Sequence, residues 1–223
     1  MLDKTEELKD KVEESENKFI EVIGDEISKW NNENSSKIPL IIRREYLRVF
    51  SLLKNGQIYG AFFQLKDVFE IILKCNVVVV ASEIINKENY TDEEGNLIFK
   101  LFEKDLSIGD WESICRTFNG KSKYNSINIL SKEINKIYSS NQISKWRNDW
   151  IGHGALAISS NEEFIKQIKE KMKILHTFFI KNIEEYKCFD IVCINNECFF
   201  EIDNTRIPLK FLIKEIDNNI HIF

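Results

Sequence analysis

Proline and glycine are scarce in this chain, 2 and 8 in 223 residues. Little interrupts regular structure, so long continuous elements are expected. There are only three histidines, His153, His176 and His221, far apart in sequence. No HExxH pair, EF-hand loop or Cys/His zinc spacing is present, and no metal site is predicted. The GxGxxG and P-loop phosphate cradles are missing, as is a GxSxG elbow, so no cofactor is expected. The most apolar stretch, Val68 to Ile85, carries Glu70, Lys74, Asn76, Ser82 and Glu83. It reads as a buried helix and not a membrane span. The first residues, MLDKTEELKDKVEESE, are highly charged and lack the apolar core of a signal peptide. These absences point to a cytoplasmic protein with no membrane contact.

Five cysteines, Cys75, Cys115, Cys188, Cys193 and Cys198, form no CxxC pair. The last three are five apart, and odd spacing along a strand sends neighbours to opposite faces. Reduced, buried or edge cysteines are expected. A net charge of −5 argues against a general nucleic-acid coat protein, although a local basic site remains compatible with it. The balance of apolar and charged residues is ordinary for a soluble globular chain long enough to bury a real core.

The apolar periodicity predicts a mainly α protein. Leu8, Val12, Phe19, Val22, Ile23, Ile27 and Trp30 mark one helix over 4–30, ended by the polar run 31–36. Pro39 suits the first turn of a second helix reaching Leu53, and Asn55-Gly56 the turn after it. A long central helix follows over 57–85, despite four consecutive valines from Val77 to Val80. Residues 89–96 read as a polar loop. Ser107 and Asp110 form a capping box for a helix through Trp111 and Phe118. Further helices are predicted over 126–138, over 144–150, and from the Ser160-Asn161-Glu162-Glu163 start to about Tyr186. The last 36 residues change to short β-prone runs separated by Asn-Asn and Asp-Asn turns. The predicted organisation is a helical domain over 1–187 and a small antiparallel β-meander over 188–223. The chain stops directly after a β-prone run, which fits either a complete protein or the front of a longer one.

The stretch Arg147-Asn148-Asp149-Trp150-Ile151-Gly152-His153-Gly154 concentrates the chemistry. An imidazole moves protons near neutral pH, and a guanidinium holds phosphate. Without a metal cluster, that pair is a minimal kit for cleaving RNA through its own 2′-hydroxyl. Trp146, Trp150 and Ile151 are expected to anchor the segment, with Arg147, Asn148 and Asp149 facing outward. Leading into it are Arg116, Lys121, Lys123, Lys132, Lys136 and Lys145, with Glu133 the lone acid among them. Arg43, Arg44 and Arg48 form a second basic group. Tyr124 and Tyr138 are candidates either for base stacking or for packing. The plainer reading of the motif has Arg147 paired with an acid and His153 capping carbonyls at a helix end.

A helical body with Arg-Asn, a short interval, and then His-Gly before the last long helix resembles the HEPN superfamily and its Arg-x4–6-His motif. The resemblance covers the architecture of residues 1–187 and about eight motif residues. It implies a helical bundle and, in active members, a metal-independent endoribonuclease of toxin or antiphage-defence type. It carries Arg147, Asn148 and His153 onto the catalytic positions. Asp67 and Glu70 are candidates for a supporting acid on an earlier helix. Lys121, Lys123, Lys132, Lys136, Lys145, Arg43 and Arg44 are candidates for RNA contact. The implied partners are RNA, a second copy of the chain that places two motifs in one cleft, and an antitoxin or other defence-system protein. Some members are not catalytic. The competing reading is therefore a module that binds RNA or a nucleotide, or that dimerises or senses, without making new RNA ends.

Overall fold

The computed structural model describes residues 24–103, 105–152, 161–195, 197–209, 213–216 and 219–222. Of the first predicted helix, residues 24–34 (α1) are described and are helical; the rest of that expectation lies outside the described residues. A 3-10 turn at Ser35–Lys37 leads through Pro39 to α2, Leu40–Lys54. The bundle continues with α3 (Ile58–Ile85), α4 (Asp92–Glu103), α5 (Ile108–Phe118), α6 (Asn125–Ser140), α7 (Ile143–Arg147) and α8 (Asn161–Tyr186). The fold is mainly α with a C-terminal antiparallel sheet, as the sequence predicts.

The central position of α3 follows from its composition. Phe62, Leu65, Val68, Phe69, Ile72 and Leu73 are buried, and from Cys75 to Ile84 every residue is buried. Val77 to Val80 stay helical because the two effects differ in size. A β-branched residue costs about 0.7 kcal/mol or less in a helix, whereas burying a valine contributes about 1.5–3 kcal/mol. Two polar groups inside this core have clear partners. The Ser131 hydroxyl on α6 donates to Asn76 Oδ1 (2.7 Å), and Tyr138 OH donates to the Phe69 carbonyl (2.9 Å). Tyr138 is thus a packing residue and not a stacking surface.

The predicted cap of α5 is present. Asp110 N–H donates to Ser107 Oγ at 3.3 Å, and Ser107 N–H to Asp110 Oδ2 at 2.9 Å. Ser107→Ala is expected to lower stability by about 1 kcal/mol, read as a shift in the urea midpoint with unchanged slope; an unchanged midpoint would show that the cap is energetically idle. Of the polar loop predicted over 89–96, residues 89–91 are loop, whereas 92–96 are the start of α4. Thr91 Oγ1 accepts from Glu94 N–H (3.2 Å) and Glu94 Oε2 from Thr91 N–H (3.0 Å), a second capping box. Three acids in the first turn suit the helix dipole there, and Gly95 disguised the start.

The sheet has the order β1-β2-β3, from Phe189–Ile194, Glu197–Ile202 and Thr205–Pro208. A separate hairpin joins β4 (Ile213–Ile216) to β5 (Asn219–Ile222). The short β3 was not predicted; Pro208 obscures it in the sequence. The cysteine expectation is corrected here as well. Cys193 and Cys198 face each other across the β1–β2 hairpin and form a disulfide. The spacing argument treated them as members of one strand. A turn lies between them, and residues directly opposite on paired strands share a face. Cys75 and Cys115 are buried thiols, and Cys188 is an exposed one. Ile191, Phe200, Ile202, Ile207 and Leu209 belong to the same buried cluster as the helices. Asn86 Nδ2 donates to the Pro208 carbonyl (3.1 Å), and Leu40 N–H to Asp190 Oδ1 (3.2 Å). The change near residue 188 is therefore one of secondary structure within a shared core.

Candidate functional site

α7 is short, and Trp146 decides its placement. Its ring is buried against Phe62 (5.4 Å between centroids) and Phe69 (6.0 Å), both on α3. Lys171 of α8, itself buried, holds its ammonium 5.6 Å from the same ring. Trp150 packs on Phe62 (5.8 Å) and on Phe164 of α8 (5.6 Å). Two aromatic anchors thus fasten the segment to α3 and α8, as predicted. Between and beyond them the regular helix gives way. Asn148–Gly152 form a π-helical turn, a local widening often found where side chains must be re-aimed.

Asn148 and Asp149 face outward, as expected. Arg147 does not face outward freely. Its Nε lies 3.4 Å from Glu70 Oε1, an ion pair without hydrogen-bond geometry, and its Nη1 donates to Asn148 Oδ1 at 3.1 Å. Glu70 is largely buried and sits between three cations, with Lys66 at 3.7 Å, Lys74 at 3.5 Å and Arg147. Of the two candidate acids, the fold brings Glu70 to Arg147 and gives Asp67 to Lys66 (2.6 Å). Beside this network Ser144 Oγ donates to Glu112 Oε2 (2.7 Å), with Arg116 3.8 Å from the same carboxylate. His153 lies outside the described residues.

Lys66, Lys74, Lys171, Ser144 and Glu112 were not singled out from the sequence. The Lys66-Glu70-Lys74 spacing of four residues was a readable signal of a helix-surface charge ladder. Lys171 and Glu112 had none, because only the packing of α5, α7 and α8 brings them near.

The predicted basic residues do not converge. Lys145 is exposed two residues before Arg147, and Lys132 and Lys136 are exposed on α6. Lys121 pairs with Glu93 (3.3 Å), and the Lys123 ammonium lies 4.9 Å from the Tyr124 ring. Both belong to the loop held by Glu83, whose carboxylate accepts from Ser122 Oγ (2.5 Å) and Lys123 N–H (3.0 Å). Burial raises the Glu83 pKa above the usual carboxylate value, against those hydrogen bonds. Glu83 is thirteen residues from Glu70, about 20 Å along α3. Arg43 donates to the Ser36 carbonyl (3.2 Å), and Arg44 is exposed on α2. The basic run is spread along the body, not focused at Arg147.

His176 is buried on α8, its ring 5.2 Å from Trp30 of α1 and edge-on to it. Burial lowers its pKa, with Glu26 pulling weakly the other way. The unfolded chain therefore takes up the proton first. Stability from this site is complete above the unfolded value of about 6.5 and falls as pH drops below it. The wild type is expected to lose more melting temperature between pH 7.5 and 5.5 than His176→Phe; parallel pH profiles would reject this.

No protein-family model, curated protein or solved structure matches this chain. Among the described residues no helix is long and apolar enough to cross a membrane, and no group of three or more His, Cys, Asp or Glu side chains is placed to hold a metal ion.

Proposed function

We propose that the chain is a metal-independent endoribonuclease of the HEPN kind, with the toxin or antiphage-defence role that the sequence resemblance implies and a cytoplasmic setting. The observation that carries the reading is the anchoring of Arg147. Trp146 and Trp150 seat it, and Glu70 and Asn148 orient it. A guanidinium held this way is pre-organised for a phosphate oxygen.

In the proposed reaction the 2′-oxygen of a ribose attacks the adjacent phosphorus and the bond to the 5′-oxygen breaks. His153 takes the 2′-hydroxyl proton or delivers one to the departing 5′-oxygen. Arg147 stabilises the charge on the phosphorane. Asn148 orients Arg147 through its side-chain oxygen. The products are a 2′,3′-cyclic phosphate and a 5′-hydroxyl.

The test is cleavage of a mixed-sequence RNA in EDTA, with the new ends mapped. Wild type is expected to cut and His153→Ala to be silent. Loss of wild-type cutting in EDTA, or full cutting by His153→Ala, rejects the scheme. A second reading is favoured by the Arg147–Glu70 ion pair, which is also what a purely structural arginine makes. Under it the chain is a non-catalytic module that binds RNA or a nucleotide, or dimerises or senses, and RNA is retained without new ends.

A further inference from the structure

The first half of α3 keeps one strip open to solvent, although most of the helix is sunk in the core. Tyr59 is 46% exposed, and Phe63, Lys66, Glu70 and Lys74 are partly so. Steps of four, three, four and four residues put all five on one side of the helix. Arg147 docks on this strip at Glu70 (3.4 Å). Tyr59 stands at the far end and is held there. Its ring lies 4.8 Å from Phe164, a fully buried residue of α8 that also meets Phe62 (5.0 Å) and Trp150 (5.6 Å). The aromatic cluster that seats the Arg147 segment therefore also fixes Tyr59, with nearly half of its surface left to water. Tyr138, a stacking candidate in the sequence, is buried and lacks such an open ring.

We propose that Tyr59 is a base-stacking subsite: it holds an unpaired base of the RNA strand whose phosphate lies on Arg147. A ring already fixed against the core loses little freedom on stacking, and every base offers it a π face. Eleven residues of helix separate Tyr59 from Glu70, about 16 Å. That is farther than a nucleotide's base lies from its own phosphate. The base at Tyr59 and the phosphate at Arg147 therefore belong to different nucleotides of one strand. A base inside a duplex has both faces covered by its neighbours and does not fit. The strip carries Lys66, Lys74 and Arg147 against Asp67 and Glu70, which pair with them. With so little net charge there, the ring supplies much of the grip. The inference rests on Arg147 as a phosphate ligand, as the proposed function requires, and not on proton transfer by His153.

The test is binding of a labelled 2′-fluoro RNA single strand of mixed sequence, which the proposed chemistry cannot cut, followed by fluorescence anisotropy with the full chain. Tyr59→Ala and Tyr59→Leu are each expected to weaken binding by about tenfold, and Tyr59→Phe to bind like wild type. Leucine keeps an apolar contact with Phe164, so a loss shared by both variants at unchanged Tm belongs to the ring and not to folding. On cleavable RNA the same two variants are expected to raise KM and leave kcat unchanged. The proposal is overturned by a wild type that does not bind the strand, by binding indifferent to Tyr59→Ala, or by a Tyr59→Phe variant as weak as Tyr59→Ala. The subsite and the nuclease fail separately. RNA cut with a KM indifferent to Tyr59→Ala removes the subsite and leaves the nuclease. Ring-dependent binding without new RNA ends keeps the subsite and removes the nuclease.

Discussion

Arg147→Ala is expected to slow RNA cleavage by about 100-fold or more, the usual consequence of removing one donor to a developing oxyanion. The stability cost is expected to be small by comparison. Arg147 is a third exposed and shares Glu70 with Lys66 and Lys74, so the carboxylate keeps two cations after the substitution. Arg147→Lys preserves charge but not the planar fork, and is expected to recover only part of the rate. Glu70→Gln separates orientation from charge. If Glu70 only aims the guanidinium, its loss raises KM and lowers kcat modestly while Arg147 still binds phosphate. Cleavage unchanged in Arg147→Ala, measured on the same RNA and with unaltered circular dichroism, would move Arg147 to the structural reading.

The largest stability effect is expected at Phe62. Its side chain is fully buried and its ring meets Trp146, Trp150 and Phe164 at 5.0–5.8 Å. Phe62→Ala leaves a cavity where α3, α7 and α8 converge, with an expected loss of about 3–5 kcal/mol. The loss is expected to appear in denaturant unfolding together with a changed near-ultraviolet tryptophan signal, because two of the four indoles pack on this ring. Phe62→Leu fills most of the space and should recover much of the stability. If Phe62→Ala unfolds within 1 kcal/mol of wild type, an estimate at the low end of ordinary substitutions, the aromatic cluster does not hold the Arg147 segment. Where Phe62→Ala remains folded, looser seating of Trp146 should also reduce any Arg147-dependent activity.

The elements differ in how readable they were. The central helix was legible because its apolar residues run through every face and only a bundle centre accommodates that. The α5 cap was legible because Ser107 and Asp110 are local partners. The start of α4 was hidden by Gly95, and its cap by Thr91, which the polar surroundings made look like a loop. The disulfide was missed because spacing along a chain says nothing about which residues a hairpin sets opposite each other. At the site, Arg147 and its anchors Trp146 and Trp150 were visible as neighbours in sequence. The choice of Glu70 over Asp67 was not, because residues three apart share one side of a helix, and only the docking of α7 on α3 selects one.

Local chemistry, then, is what the sequence determined by itself: helical periodicity, caps, turn residues, and the Arg147-Asn148 pair followed by His153. These depend on groups a few residues apart, and their energies hardly change with context. The tertiary structure alone decided which charges meet. It set Arg147 on Glu70, put Lys171 against Trp146, scattered the basic run along the body, and joined Cys193 to Cys198. Ion pairs and cross-strand bonds act over a few ångströms between residues distant in the chain, so they exist only once the core has placed their backbones.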